Sequence, residues 1–446
     1  MASSRKSPLE SRLKRALISS LQPFAGQPVA IALSGGLDSV ALLSVASQVA
    51  PSFGIALSAV HVNHNLSPNA ANWAQFCAEL CRGLGIPLST HSVQLQRRGG
   101  ESLEAVARQA RYACYAQARV SAVVLAQHAD DQAETVLQQL LRGGGVRGVA
   151  GMPASRVLPS GQHVLRPWLA VSRAQLVEYV AERQLVWVED ESNLDTRYDR
   201  NFIRHRVLPV VAESYPRAPA VLARSAQYFA EASAIADDLA QADFCGDLAL
   251  AQLDVAPLLA LPAYRAKNLL RWFLSHYLPA LDGALLEEAL RQIRESRPDV
   301  AMAVEMGEGA LRRHAARIHF VRPVSLALPD VVIDWQGQDA ITLPAWGGAL
   351  QFVRQARGGI ARARLEQTLH ITRRRGGERI QPAGSAHHKT LKQIYQEQSV
   401  APWLRERLPL IYAGDGLLAV PGLVWCHDAR AAAGEPGYLL QWQFDL

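Results

Sequence analysis

The chain is poor in cysteine, with five among 446 residues. That odd number, without framework spacing or any CxxC, excludes a disulfide scaffold and points to a reducing compartment. Cys77 and Cys81 stand four apart on one face of a helix-like stretch. Without a second pair nearby they read as buried thiols, not as half a metal site. Lysine is scarce as well: arginine and lysine together number 46, and only five are lysine. No run approaches the roughly 20 apolar residues of a membrane span. The opening string "MASSRKSPLESRLKRALISSL" lacks the apolar core of a signal peptide. These absences predict a cytoplasmic protein with no membrane partner.

Apolar residues make up 49% of the chain, enough for sizeable cores, and the length suggests two or three domains. From residue 28, short apolar runs at 29–33, 55–62, 88–95 and 122–127 alternate with helical patterns near 39–50, 69–84, 102–118 and 130–141. That alternation predicts α/β architecture, a parallel-sheet nucleotide-binding domain with helices on both faces. Amphipathic helices over 219–245, 255–278 and 282–296 predict a mainly helical middle domain, with a hairpin around Gly307. Short strands and glycine turns after 331 predict a small basic α+β C-terminal domain. The expected boundaries are 1–214, 215–330 and 331–446.

The net charge of +6 is unevenly placed. Residues 351–410 hold ten arginines, Lys389 and Lys392 against four glutamates. A basic tail on a near-neutral body predicts a polyanionic partner such as nucleic acid.

"SGGLDS", Ser34 to Ser39, follows the first strand and opens a helix. Gly35 and Gly36 let backbone approach a ligand, Leu37 belongs to the same cofactor-binding loop, a helix starts near Ser39, and Ser34 and Ser39 add hydroxyls: an anion site. It is not a Walker loop, because no GK[ST] follows. Asp38 beside phosphate would repel it unless a divalent cation lies between, so the loop predicts ATP with Mg²⁺.

Four further motifs follow. "HVNHNLS" carries His61 at a strand end, where it is expected to face the same crevice as Ser34 and His128 and to bind the cofactor. "ESLEAVARQARY" places Glu104, Arg108 and Arg111 on one helical face. "HADDQAET" places His128, Asp131 and Glu134 at a helix start, where an aspartate pair standing alone reads as a cap; with Asp38 they make a carboxylate set for Mg²⁺, and His128 is a candidate acid or base. "LLRGGGVRGVAGM", with Arg142, suits close approach to an RNA backbone. "WVEDESNLDTRYDRNFIRHRVLP" carries Arg200, Asn201 and Arg204, the last two on one helical face.

The glycine loop resembles that of the N-type ATP pyrophosphatases, and the five motifs in this order resemble the tRNA(Ile)-lysidine synthase family. The likeness returns in "TRRRGGERIQPAGSAHHKTLKQIYQEQSVAPWLRERLPLIY". Where family members commonly have an arginine, this chain has Ser67. The resemblance implies an ATP-dependent ligase that joins free L-lysine to C2 of the wobble cytidine in the CAU anticodon of tRNA(Ile), through an adenylated base. It implies metal or phosphate contact for Asp38, Asp131 and Glu134, and contact with RNA, lysine or developing charge for Arg108, Arg111 and Arg204. Arg373, Arg374, Arg375, Arg379, Lys389 and Lys392 would hold tRNA, and a homodimer is allowed. A tRNA cytidine 2-thiolation enzyme is the nearest alternative. It would need a cysteine pair near the loop, and the sequence offers no CxxC. A glutamine-dependent ligase would need an N-terminal cysteine or a glutaminase partner, and residue 2 is Ala. A sensor without chemistry has little use for a carboxylate-rich phosphate site.

Overall fold

A computed structural model of the chain describes residues 8–65, 67–95, 103–278, 281–296, 302–322 and 328–444, with the Glu104 side chain outside them. Two compact units divide it, Met1–Ile235 and Ala236–Leu446.

The first unit is a six-stranded sheet in the order β3-β2-β1-β4-β6-β5. Its elements run α1 (Pro8–Leu21), β1 (Pro28–Ala32), α2 (Leu37–Val49), β2 (Ala56–Asn63), α3 (Ala70–Gly83), β3 (Leu88–Ser92), α4 (Leu103–Gln117) and β4 (Ala122–Val124). Then come α5 (Ala129–Leu141), α6 (Val146–Val149), β5 (Ser155–Val157), β6 (His163–Leu165), α7 (Arg173–Glu182), α8 (Asp199–Phe202), a π-helical turn (Ile203–Val207), α9 (Leu208–Ser214) and α10 (Ala218–Asp243), within which the division between units falls. All pairings are parallel except β5 with β6.

The centre of β1 is continuously apolar: Val29, Ala30 and Ile31 are wholly buried because β2 and β4 flank the strand and helices cover both faces. Helix α2 is buried nearly all round, since α1 and α7 cover its outer side. Each large side chain there, such as Leu42 or Leu43, contributes about 1.5–3 kcal/mol. The chain leaves β1 for β2 on one side and reaches β4 on the other. A crevice therefore opens between the carboxyl ends of β1 and β4, where doubly wound sheets bind ligands.

The second unit holds separate cores. Strands β7 (Gly246–Asp247), β8 (Gln252–Asp254), β9 (Ala303–Glu305), β10 (Ala310–His314) and β11 (Arg317–Val321) form an antiparallel sheet in the order β7-β8-β11-β10-β9. Against it lie α11 (Val255–Ala260), α12 (Ala263–Ser275) and α13 (Gly283–Glu295), sharing one core with Leu253, Phe273 and Phe320. The long helix expected over 255–278 is broken at Leu261-Pro262, because proline cannot donate within a helix. The hairpin around Gly307 is a three-stranded meander. Gly307 (φ 70°) makes the first turn and Ala315 (φ 51°) the second, which brings β11 back beside β10.

The remaining elements are β12 (Val331–Ile333), β13 (Ala340–Leu343), β14 (Gly348–Gln355), α14 (Arg362–Leu365), β15 (Leu369–Thr372), β16 (Arg379–Ile380), β17 (Lys389–Thr390), α15 (Leu391–Glu397), α16 (Pro402–Arg405), β18 (Leu410–Ala413), β19 (Gly416–Val420), β20 (Val424–Trp425) and β21 (Gly437–Phe444). They build sheets β12-β15-β18-β19-β20, β13-β14-β21 and β16-β17 around a core that includes Trp335, Trp346 and Phe352. Among the described residues no helix is long and apolar enough to cross a membrane.

Candidate functional site

The Ser34–Ser39 loop turns from β1 into α2 at the crevice. Gly35 has φ 90°, and a Cβ there would lie 2.9 Å from Val188 Cγ2 and 3.2 Å from Cys77 Sγ, so glycine is required twice over. Val188 N–H donates to Gly35 O (3.0 Å), so the 187–189 segment closes against the loop. The two serine hydroxyls sit inside the turn. Ser39 Oγ accepts from the N–H groups of Ser34 and Gly35 (both 3.2 Å) and donates to Gly36 O (2.9 Å); Ser34 Oγ lies 3.1 Å away. Gly36 caps α2 without a side-chain bond, so the first amides of the helix, at Leu37, Asp38 and Ser39, form an open N-terminus.

Asp38 and the start of α5 meet across His128. His128 Nε2 lies 3.6 Å from Asp38 Oδ2 and 3.4 Å from Asp131 Oδ2, and Nδ1 lies 3.6 Å from Asp130 Oδ2. Burial disfavours charging this ring, but the carboxylates of Asp130, Asp38 and Asp131 outweigh it and push its pKa up to about 10. Asp131 N–H approaches Nδ1 at 3.4 Å, too long to hold that nitrogen as an acceptor against three carboxylates. Asp131 in turn accepts from His128 N–H (3.0 Å), so it does cap α5.

Asp131 and Glu134 face arginine. Arg200 donates to Glu134 Oε2 through Nε and to Asp131 Oδ1 through Nη2, both at 2.7 Å. Arg204 donates to Glu134 Oε1 through Nε (2.6 Å), and through Nη2 to Asp131 Oδ1 (3.1 Å) and Glu134 Oε2 (3.0 Å). The carboxylates are 12% and 1% exposed and the guanidiniums 26% and 29%, so this is a largely desolvated network. Burial works against ionising Asp131, but His128, Arg200 and Arg204 hold its pKa below the usual range. A fit to metal therefore differs along the expected set. Asp38 Oδ1 is a buried oxygen with no hydrogen-bond partner, which suits a hard cation. Both oxygens of Glu134 already accept from arginine. Among the described residues no three of His, Cys, Asp and Glu gather in metal-holding geometry.

Other expected residues fall in different places. His61 is buried, and its Nδ1 donates to Leu33 O (2.8 Å), which braces the end of β1 from behind. Arg108 lies over the Tyr112 ring at 5.6 Å, and both Arg108 and Arg111 are exposed. Burial and the charge of Arg111 together bring His64 down to about 4. The Glu104 side chain lies outside the described residues. The helical pairing in 200–204 is Arg200 with Arg204, one helical turn apart; Asn201 points elsewhere, donating to Ser192 O and Asp195 O. Arg142 pairs with Asp199 at 2.5 Å in the open. Ser67 donates to Glu191 (3.0 Å), as does Asn69 (2.9 Å), which ties its loop to the segment before α8.

Cys77 and Cys81 are core residues, as expected. Cys77 nonetheless reaches the loop, 3.6 Å from His61 Nδ1, with its thiol pushed up to about 12 by burial. That contact was hidden in the sequence, as was the role of Val188, because neither residue type announces the turn it packs against.

In the second unit, Gly376 (φ 96°) and Gly377 (φ 85°) turn the arginine run, and Glu378 Oε1 accepts from the Arg375 and Gly376 amides. Arg373, Arg374 and Arg375 line one cleft of about 580 Å³ with Arg312, Trp403 and Arg407. Arg379, Lys389 and Lys392 are not in that lining, and Lys389 pairs with Glu397 at 2.8 Å.

A family model described as the PP-loop domain matches residues 9–211. Models of the TilS substrate binding domain and the TilS substrate C-terminal domain match 253–319 and 369–442. The tRNA(Ile)-lysidine synthase of Nitrosomonas europaea is 40% identical over 421 residues, covering 94% of this chain and 92% of the relative. That of Chromobacterium violaceum is 42% identical over 408 residues, covering 91% and 93%. Among solved structures, the U34-tRNA thiolase NcsA from Methanococcus maripaludis is 15% identical over 51% of this chain and 81% of that chain, with a TM-score of 0.43.

Proposed function

The chain belongs to the tRNA(Ile)-lysidine synthase family, and from that premise we propose that it joins the ε-amine of free lysine to C2 of the wobble cytidine in the CAU anticodon of tRNA(Ile). The C2 oxygen attacks the α-phosphate of ATP and pyrophosphate leaves. The lysine amine then attacks C2, loses a proton, and AMP leaves with the former C2 oxygen. The observation that carries this reading is the open N-terminus of α2 at the β1/β4 crevice, with Asp38 Oδ1 unpartnered beside it.

Phosphates are received by the amides of 37–39 and the hydroxyl of Ser34, while Ser39 Oγ, bonded within the turn, holds the loop in shape. Mg²⁺ held at Asp38 would neutralise phosphate charge as pyrophosphate departs. Asp131 and Glu134 act here through arginine: they hold Arg200 and Arg204 rigid in a desolvated network, with Arg204 Nη1 outside those bonds and available to an anionic group. His128, buried between Asp38, Asp130 and Asp131, holds Asp38 in place and is the acid or base nearest the phosphates. Arg108 and Arg111, exposed on α4, and Arg142 meet RNA or lysine. The cleft arginines Arg373–Arg375, with Arg379, Lys389 and Lys392 outside it, bind tRNA backbone. The three separately matched segments support a division near 1–214, 215–330 and 331–446. The enzyme works in the cytoplasm and self-associates, if at all, as a homodimer.

Thiolation is disfavoured on chemical grounds. The thiol nearest the loop, Cys77, is buried with its pKa pushed up to about 12, far from the thiolate such chemistry uses. Mass measurement on tRNA(Ile) incubated with ATP and lysine tests the proposal. Gain of one lysine residue at the wobble cytidine is expected. Sulfur incorporation, or modification that proceeds without lysine, would overturn it.

A further inference from the structure

Arg166, directly after β6, is 2% exposed, yet no carboxylate pairs with it among the described residues. Its guanidinium donates in three directions. Nε reaches Gln127 Oε1 (2.5 Å), Nη1 reaches Pro153 O (2.9 Å) and Nη2 reaches the Tyr112 hydroxyl (2.7 Å). Burial lowers its pKa, and the charges of Arg108 and Arg156 press the same way. A buried cation with only neutral acceptors is expensive, and apolar side chains would fill the same space at lower cost. What arginine alone offers there is a planar fork with five donors at fixed angles.

Each partner of that fork leads to a part of the site. Gln127 immediately precedes His128, the residue between Asp38 and Asp131. Tyr112 lies under Arg108 on α4. Pro153 follows Met152, whose N–H and C=O are both held by the Gln132 side chain of α5 (2.8 and 3.0 Å). The Arg166 backbone is fixed too, its N–H donating to Ala154 O (2.8 Å).

We propose that Arg166 is a positioning residue whose fork fixes the His128 loop and the Arg108 helix relative to one another. Resting on the lysidine reading, this assigns it no contact with substrate. It sets the distance between the side that activates ATP and the side that presents RNA or lysine.

The test uses the full-length enzyme with ATP, lysine and tRNA(Ile), reading lysidine formation and the KM of each substrate. Thermal unfolding is measured alongside. Arg166→Lys keeps the charge and loses the fork. It is expected to stay folded at assay temperature while kcat falls about tenfold or more, the scale expected when reacting groups are slightly misplaced. Tyr112→Phe removes one arm only and leaves the ring under Arg108. It should raise the KM for tRNA or lysine and leave that for ATP unchanged, and it keeps the idea testable if Arg166→Lys does not fold. Arg166→Lys with kcat/KM within about twofold of wild type would overturn the proposal. So would an activity loss that matches the unfolded fraction, or a Tyr112→Phe variant with all three KM values unchanged. Wild-type enzyme that forms no lysidine would instead defeat the reading on which the proposal stands.

Discussion

The two charged regions handle arginine in opposite ways. In the crevice of the first unit, Arg200 and Arg204 are about a quarter exposed and each divides its donors between Asp131 and Glu134. In the second unit's cleft, Arg373 and Arg375 are exposed, and Arg375 meets Asp330 with both partners more than half exposed. Solvent screening makes the second kind of pairing weak and exchangeable, while desolvation makes the first rigid. Under the proposed function, the difference fits what each region is asked to do. Chemistry needs charges held before the substrate arrives, whereas gripping a polyanion needs charges that can trade one partner for another.

The largest effect should come from Asp38→Asn. With one carboxylate oxygen unpartnered, its removal costs the fold little, yet pyrophosphate release should fall on the order of a thousandfold once the metal has no carboxylate to hold it. Retained ATP turnover in a folded mutant excludes the metal role. Glu134→Gln comes next and strikes the rigid network. It leaves two guanidiniums short of counter-charge and should destabilise the first unit by about 3 kcal/mol, with turnover falling as well. Urea unfolding checks this, and an unchanged midpoint would remove the contrast between the two regions.

The cleft should respond differently. Replacing Arg373, Arg374 and Arg375 together by Ala should leave ATP affinity near wild type, with any loss of stability traced to Arg374, which lies over the Tyr395 ring beside Glu378. The slope of log tRNA affinity against log salt should become shallower by about one for each phosphate that the variant no longer neutralises. An unchanged slope places the run outside the RNA interface. Arg142→Ala tests the comparison most finely, since Arg142 belongs to the first unit but is paired in the open with Asp199. It should behave like a cleft residue, with stability unmoved and tRNA affinity lowered a few-fold. A stability loss like that of Glu134→Gln would show that exposure is not what separates the regions.

Much of the fold and part of the site were legible in the residues alone. The alternation of apolar runs and helical patterns located β1 to β4 and α2 to α5 within a few residues, and the glycine pair marked the turn from β1 into the open N-terminus of α2. The motif at 128–134 and the arginines at 200 and 204 were legible as chemistry, but not as one network, because their pairing spans some 70 positions. The break at Leu261-Pro262 and the second turn at Ala315 were missed. Pro262 was the local signal for the first, overridden by the apolar pattern on either side of it, whereas a left-handed alanine (φ 51°) carries no turn signature.

By itself, then, the sequence determined the element types, the phosphate loop and the uneven charge, since each depends on residues adjacent or one helical turn apart. Tertiary structure alone decided which charges meet. It turned Asp131 and Glu134 toward arginine, put Cys77 and Val188 against the loop, drew His61 into bracing β1, and gave Arg166 three neutral partners from three segments. Those outcomes follow from desolvation: a buried charge or donor takes whatever partner the sheet order brings beside it, and that order is not written in local spacing.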